Sequence, residues 1–273
     1  MDTIIIPGIV PPLCAILGLL VIWRHHQNRV IVGLSQAVDI FNPSGIRMYL
    51  YATPDDDICP SCKKSQWTVF LPHGVKQKDF SPLEAPCNSP EKCNGVLIGF
   101  YGAWLEANDV IRQAQALKKP GRLQLSPKEL QQFLKGQSEL SPRAEMDRVS
   151  ARMLSATLNE QANPQQAIAH YSFVLDQAKE ERHLPLLVPA YIRLVSLLAR
   201  RGNLRKAVQI IDHFQKRYSR EQYGPYYPTA KHRRAMSVMK PYLISLLNPS
   251  SDGPTELAGT SQSSDQPDIP SAA

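Results

Sequence analysis

Two stretches decide the fold because they read alike: Asn163-Pro164-Gln165-Gln166-Ala167-Ile168-Ala169-His170-Tyr171 and Asn203-Leu204-Arg205-Lys206-Ala207-Val208-Gln209-Ile210-Ile211. In each, an asparagine stands where its side chain can cap a helix, and apolar residues recur behind it at helical spacing. The first helix gathers Ala167, Ile168, Tyr171, Val174, Leu175 and Ala178 on one face; the second gathers Leu204, Ala207, Val208, Ile211, Phe214 and Tyr218. Another apolar helix precedes each. Met153, Leu154 and Leu158 mark the first, while Tyr191, Leu194, Leu197 and Leu198 mark the second, which Gly202 ends in the C′ position. A last helix from Thr229 to Leu247, with Met236, Met239, Tyr242, Leu243 and Leu246 on its apolar side and a kink at Pro241, closes a helical body spanning 144–248.

These paired helices resemble the tetratricopeptide repeat (TPR) family. Tyr191, Leu194, Leu198, Gly202, Ala207, Ile211 and Phe214 fit one repeat, and Ala151, Leu154, Leu158, Ala167, Tyr171 and Val174 fit another more loosely, without the glycine. The small alanines Ala167 and Ala207 are 40 residues apart, against about 34 in the family, so a longer connection near His183-Leu184-Pro185 is required. A generic helical bundle is the competing description. The resemblance implies an α-solenoid whose concave face is lined by the first helix of each pair. The polar residues expected there are Arg152, Ser155 and Asn159, then Arg193, Ser196 and Arg200. Arginines among small polar neighbours suit an acidic peptide or a C-terminal carboxylate. On that reading, reversing the charge of Arg193 and Arg200 would leave the melting temperature unchanged.

Upstream, residues 101–143 read as a helical connector. Tyr101 to Lys119 is helical up to Pro120-Gly121, and Ser126-Pro127-Lys128-Glu129 is a capped start with serine at the N-cap, proline at N1 and glutamate at N3. Residues 30–100 read as a small β module, with strands expected at Gly45 to Tyr51, Gln66 to Leu71 and Gly95 to Phe100. It contains Cys59-Pro60-Ser61-Cys62 and, farther on, Cys87 and Cys93. Two cysteine pairs flanking a hairpin resemble a zinc ribbon, which implies a structural Zn²⁺ held by Cys59, Cys62, Cys87 and Cys93, with His73 as a possible substitute for Cys87. Two disulfides if the body is extracytoplasmic, a redox C-x-x-C at Cys59 and Cys62, or unligated thiols are the other readings. A thioredoxin-like form of the redox reading needs a βαβ context, and no helix-forming sequence follows Cys62.

Thr3 to Trp23 carries no charge and is long enough to span a hydrocarbon core of about 30 Å. With Arg24 and Arg29 behind it, residues 1–29 read as a transmembrane anchor in the lipid of a bacterial inner membrane, with the body in the cytoplasm. Residues 249–273 hold four acidic residues and no Lys or Arg, amid Ser, Pro and Gly; they read as a disordered acidic tail. The body is therefore more basic than the chain's formal +7. Membrane tethering explains such a surface as well as nucleic acid does, and no aromatic-interleaved basic motif favours nucleic acid as partner. The histidines lack H-E-x-x-H spacing, and the sequence has no GxGxxG, no GxxxxGK[ST], no nucleophile elbow and no paired acid and base. The expected function is that of a non-enzymatic, membrane-tethered adaptor or scaffold binding a protein or peptide partner. A thiol-redox or assembly factor using Cys59 and Cys62 outside the membrane is the alternative. The expected architecture is mainly α with a small β module.

Overall fold

Met48-Tyr49-Leu50-Tyr51-Ala52 is strand β1, and every one of its residues is buried. In a computed structural model of the chain, which describes residues 45–53, 60–72, 95–117, 121–136, 145–180, 183–220, 227–228 and 230–248, β1 lies inside a four-stranded antiparallel sheet. Its partners are β2 (Thr68–Phe70), β3 (Val96–Phe100) and β4 (Arg122–Gln124), in the order β3-β1-β2-β4. Leu50 pairs with Val69 on one side and Ile98 on the other. Alternation sends Met48, Leu50 and Ala52 to the face that joins the main core. Tyr49 and Tyr51 take the opposite face, and the Tyr51 hydroxyl lies 3.5 Å from Cys62 Sγ on the short helix α1 (Pro60–Ser65). Burial pushes the Tyr49 phenol up to about 12.

Three of these strands fall where the sequence placed them, though β2 and β3 are trimmed and β1 starts later and runs one residue further, to Ala52. Trp67 does not extend β2 backwards because it turns the chain out of α1 in a left-handed conformation (φ 59°), its N–H donating to the Tyr51 carbonyl. β4 was not expected. It runs through the presumed connector and adds itself to β2, pairing Leu123 with Val69. The segment 101–143 therefore belongs partly to the sheet. Its helices are α2 (Leu105–Ala116) and α3 (Pro127–Gly136). The capping box forms as read: Glu129 accepts from the Ser126 N–H at 2.7 Å, and Ser126 Oγ accepts from the Glu129 N–H at 3.3 Å. Trp104 donates to the Phe133 carbonyl at 2.8 Å and meets the Phe100 and Phe133 rings, closing α2 and α3 over β3.

Among the described residues five helices follow: α4 (Arg148–Asn159), α5 (Pro164–Gln177), α6 (Leu184–Arg200), α7 (Leu204–Arg217) and α8 (Ala230–Leu247). Each packs on the next, and short links make neighbours antiparallel. Asn163 caps α5 as expected, accepting from the Gln166 N–H at 3.1 Å. Asn203 makes no such side-chain bond at α7. The turn before it does the work instead: Gly202 (φ 73°) donates to the Ala199 carbonyl and Asn203 to that of Leu198, a Schellman ending for α6. α6 is the centre of the stack, with α5, α7, α8 and β3 all against it.

Sheet and stack share one core, and their junction is polar. Asp147, itself buried, accepts from the backbone N–H groups of Tyr101 and Gly102, both at 2.8 Å. Gly102 adopts φ 62° there, with Met48, Ala107 and Ile111 close around it. One turn into α4, Ser150 donates to the Gly99 carbonyl of the edge strand β3 at 2.8 Å. No helix among the described residues is long and apolar enough to cross a membrane; the expected anchor, the run Thr3 to Trp23, lies outside those residues, as does the tail 249–273.

The junction makes a sharp demand on Asp147. Asp147→Ala leaves two buried N–H groups without an acceptor and is expected to lower stability by about 3 kcal/mol. Asp147→Asn keeps one acceptor oxygen and should recover part of the loss. Urea denaturation followed by circular dichroism measures both.

Candidate functional site

Arg148, Arg152, Ser155 and Asn159 recur along α4 at helical spacing, so they share one side of it. The opposite side is committed to packing through Ser150, Met153, Leu154 and Thr157. On the outer side, both arginines lean onto a single ring of α5: the guanidinium carbons of Arg148 and Arg152 lie 5.1 and 5.6 Å from the Phe173 centroid. Arg148 also pairs with Glu145 at 2.7 Å. Arg152 Nη1 lies 3.1 Å from His170 Nδ1. A neutral imidazole nitrogen can accept that bond, and burial, then the charge of Arg152, hold the His170 pKa below its ordinary value.

Beyond Asn159 the chain places Glu160 inside the stack. Its side chain is 5% exposed and that of Arg193 is 6% exposed; the two form an ion pair at 2.8 Å. Tyr171 donates its hydroxyl to the same Glu160 oxygen and lies 3.3 Å from Thr157 Oγ1. Burial pushes the Tyr171 phenol well above its ordinary value, so it stays protonated as a donor. Arg200, 52% exposed, approaches the second Glu160 oxygen at 3.6 Å from the rim. One carboxylate thus gathers groups from α5 and α6 at the end of α4.

The expected partner-binding residues divide accordingly. Arg152, Ser155 and Asn159 do share a side of α4, although Asn159 turns its amide back to the Ser155 carbonyl at 2.7 Å. Ser196 is partly buried on α6 and Arg200 reaches the surface. Arg193 is a correction. It is a core cation neutralised by Glu160, not part of an open face, so reversing its charge would place two carboxylates together in the interior. Glu160, Arg148 and Phe173 were missed. Arg148 stands one turn before Arg152, and Phe173 three residues after His170, so helical spacing held a signal for both. Glu160 sits beyond the periodic part of α4 and 33 residues from its partner, with no such signal.

The zinc module is corrected too. Among the described residues no group of His, Cys, Asp and Glu could hold a metal ion. Cys62 lies in helix α1, fully buried against β1 next to the Tyr51 hydroxyl, where a knuckle would need its thiolate turned toward a shared centre. A helix does begin at Pro60, contrary to the sequence reading, with the proline in its first turn. A buried thiol beside a phenol is also poorly placed as a nucleophile. Cys59, Cys87, Cys93 and His73 lie outside the described residues. The arrangement best suited to chemistry at the surface is the arginine pair on Phe173.

Arg193→Ala would strand the Glu160 carboxylate in the interior and is expected to cost about 3–5 kcal/mol. Arg193→Met combined with Glu160→Leu should restore most of that, whereas Arg200→Ala should change stability by less than about 1 kcal/mol; urea melts of the three variants decide. The His170 linkage has a definite sign. Its folded pKa is depressed, so the unfolded chain takes up the proton first, and this stability contribution is present above the unfolded pKa of about 6.5 and lost as pH falls through the folded value. His170→Gln should flatten that part of the stability profile below neutral pH, read from urea midpoints at neutral and mildly acidic pH.

Comparison with family models, curated proteins and solved structures finds no match to this chain. The tetratricopeptide resemblance is thereby corrected: no family model supports it, and the asparagine that opens the second helix of its better repeat makes no side-chain capping bond.

Proposed function

We propose that the helical stack α4–α8 holds an acidic segment of a protein partner, an adaptor role without catalysis. The observation that carries this reading is the support of two guanidinium groups, Arg148 and Arg152, by the one ring of Phe173. Arginines steadied in this way lose little freedom on binding, and a planar guanidinium matches a carboxylate with two parallel hydrogen bonds. Ser155 and Asn159 continue the same side of α4 with small polar groups. Arg200, which reaches the residue after Asn159, supplies a third cation at its far end, and Ser196 stands one turn before it. The basic excess of the chain favours encounter with an acidic partner.

The test is fluorescence anisotropy of a labelled peptide alternating glutamate with aliphatic residues, set against its glutamine counterpart. The acidic peptide should bind the full chain more tightly, with affinity falling as salt rises. Arg148→Gln with Arg152→Gln should raise its Kd about tenfold or more while the thermal midpoint barely moves. Equal binding of both peptides, or affinity indifferent to the double substitution, would remove this reading.

A further inference from the structure

Arg152 is held twice, once over the Phe173 ring and once by His170, whose Nδ1 lies 3.1 Å from Arg152 Nη1. A guanidinium can only donate, so the imidazole nitrogen must accept. That fixes His170 as the neutral tautomer with its proton on Nε2. His170 is itself buried. The helices packed against α5 are α4 and α6. α4 carries Arg152 and, one turn earlier, Arg148, which Glu145 engages. α6 carries Arg193 and Arg200, both directed to Glu160, and α5 itself carries Asp176. Among the described residues, burial and then Arg152 oppose protonation of His170, and no carboxylate supports it. A proton on Nδ1 turns the acceptor into a second donor and sets two cations in contact.

We infer that the Arg152–His170 bond is a proton-operated latch on the acidic-partner surface: protonation of His170 releases Arg152 toward the partner's carboxylate, and the partner binds more tightly as the pH falls below neutral. This rests on the acidic-partner reading and adds its regulation. In the latched state one Nη of Arg152 is spent on the imidazole. Released, the guanidinium can offer a carboxylate two parallel N–H groups. The partner in turn supplies the counter-charge that His170 lacks. Partner and proton therefore favour each other, as reciprocal linkage requires. The sign and the window follow from the environment of the ring. Burial and Arg152 hold its folded pKa below the ordinary value of about 6.5, so the latch is closed at neutral pH and opens in mild acid. Arg148 is engaged by a glutamate and not by an imidazole, so its share of the binding carries no such response.

Anisotropy of the labelled glutamate peptide with the full chain, at a pH of about 7.5 and of about 5.5, tests it; glutamate, with a pKa of about 4.3, stays ionised at both. Binding should be about fivefold tighter or more at the lower pH. His170→Gln, whose amide oxygen can go on accepting from Arg152, should hold one Kd across the range. Arg152→Gln should lose the response as well, while Arg148→Gln should bind more weakly and keep the ratio. Far-ultraviolet circular dichroism at both pH values checks that each variant is folded. NMR of the imidazole nitrogens reads the latch without a partner. At neutral pH His170 should carry its proton on Nε2, and its titration midpoint should rise in Arg152→Gln and again, in the unsubstituted chain, on saturation with the acidic peptide. Equal affinity at the two pH values, with the acidic peptide still preferred to its glutamine counterpart, would overturn the latch and leave the acidic-partner reading standing. A pH response that persists in His170→Gln, or a His170 proton found on Nδ1 at neutral pH, would also overturn the latch. Failure of the acidic peptide to bind at either pH would remove both.

Discussion

The helical stack is organised around the Glu160 carboxylate. Most of its core is aliphatic, and aliphatic contacts tolerate small slips between helices. A buried carboxylate does not. Glu160 must meet Arg193 from α6 and Tyr171 from α5 at once, and an alignment that separates them leaves a charge in the interior uncompensated. Such a pair adds little net stability over well-packed apolar residues. Its contribution is to fix which turn of α6 faces which turn of α5, and that in turn sets where Arg200 emerges at the rim.

Asp147 performs the matching task between sheet and stack. It occupies the turn leading into α4 and binds the two N–H groups at the exit of β3, while Ser150 takes a carbonyl of the same edge strand. One carbonyl of the β3 edge is thereby taken by α4, and α4 is aimed so that its outer side carries Arg148 and Arg152. The candidate surface is a consequence of two buried carboxylates, one at each end of α4.

Local signals in the sequence were read correctly where a few adjacent residues suffice. The Ser126–Glu129 box, the Asn163 cap, the left-handed Gly202 and three strands all depend on neighbours within a few positions, and all are present. What was not legible depends on partners far away in sequence. β4 is three residues long, too short for a period, and exists only because β2 offers it an edge. Arg193 was read as a surface residue because charge normally means exposure, and Glu160 carried no signal at all; only the approach of α6 to the end of α4 buries both. Cys62 suggested metal because a spacing motif carries no information about whether its backbone turns or coils. The side of α4 that holds Arg152, Ser155 and Asn159 was legible, since helical period alone defines it. The aromatic ring beneath the arginines was not, because it comes from the next helix.

The strand order β3-β1-β2-β4 also governs when the parts of this chain can form. Each helix of the stack contacts its neighbour in sequence, whereas Leu50 waits for Ile98 and Val69 for Leu123. Contacts that are local form fastest, and those closing long loops form late. Synthesis runs the other way, delivering the fully apolar β1 first and the aspartate that secures β3 some hundred residues later. At roughly 5–20 residues per second, the Met48–Ala52 strand spends several seconds at the ribosome without its partners. The half of the molecule that is made first is the half that is finished last, and its early life is the period in which it most needs protection from other unfolded chains.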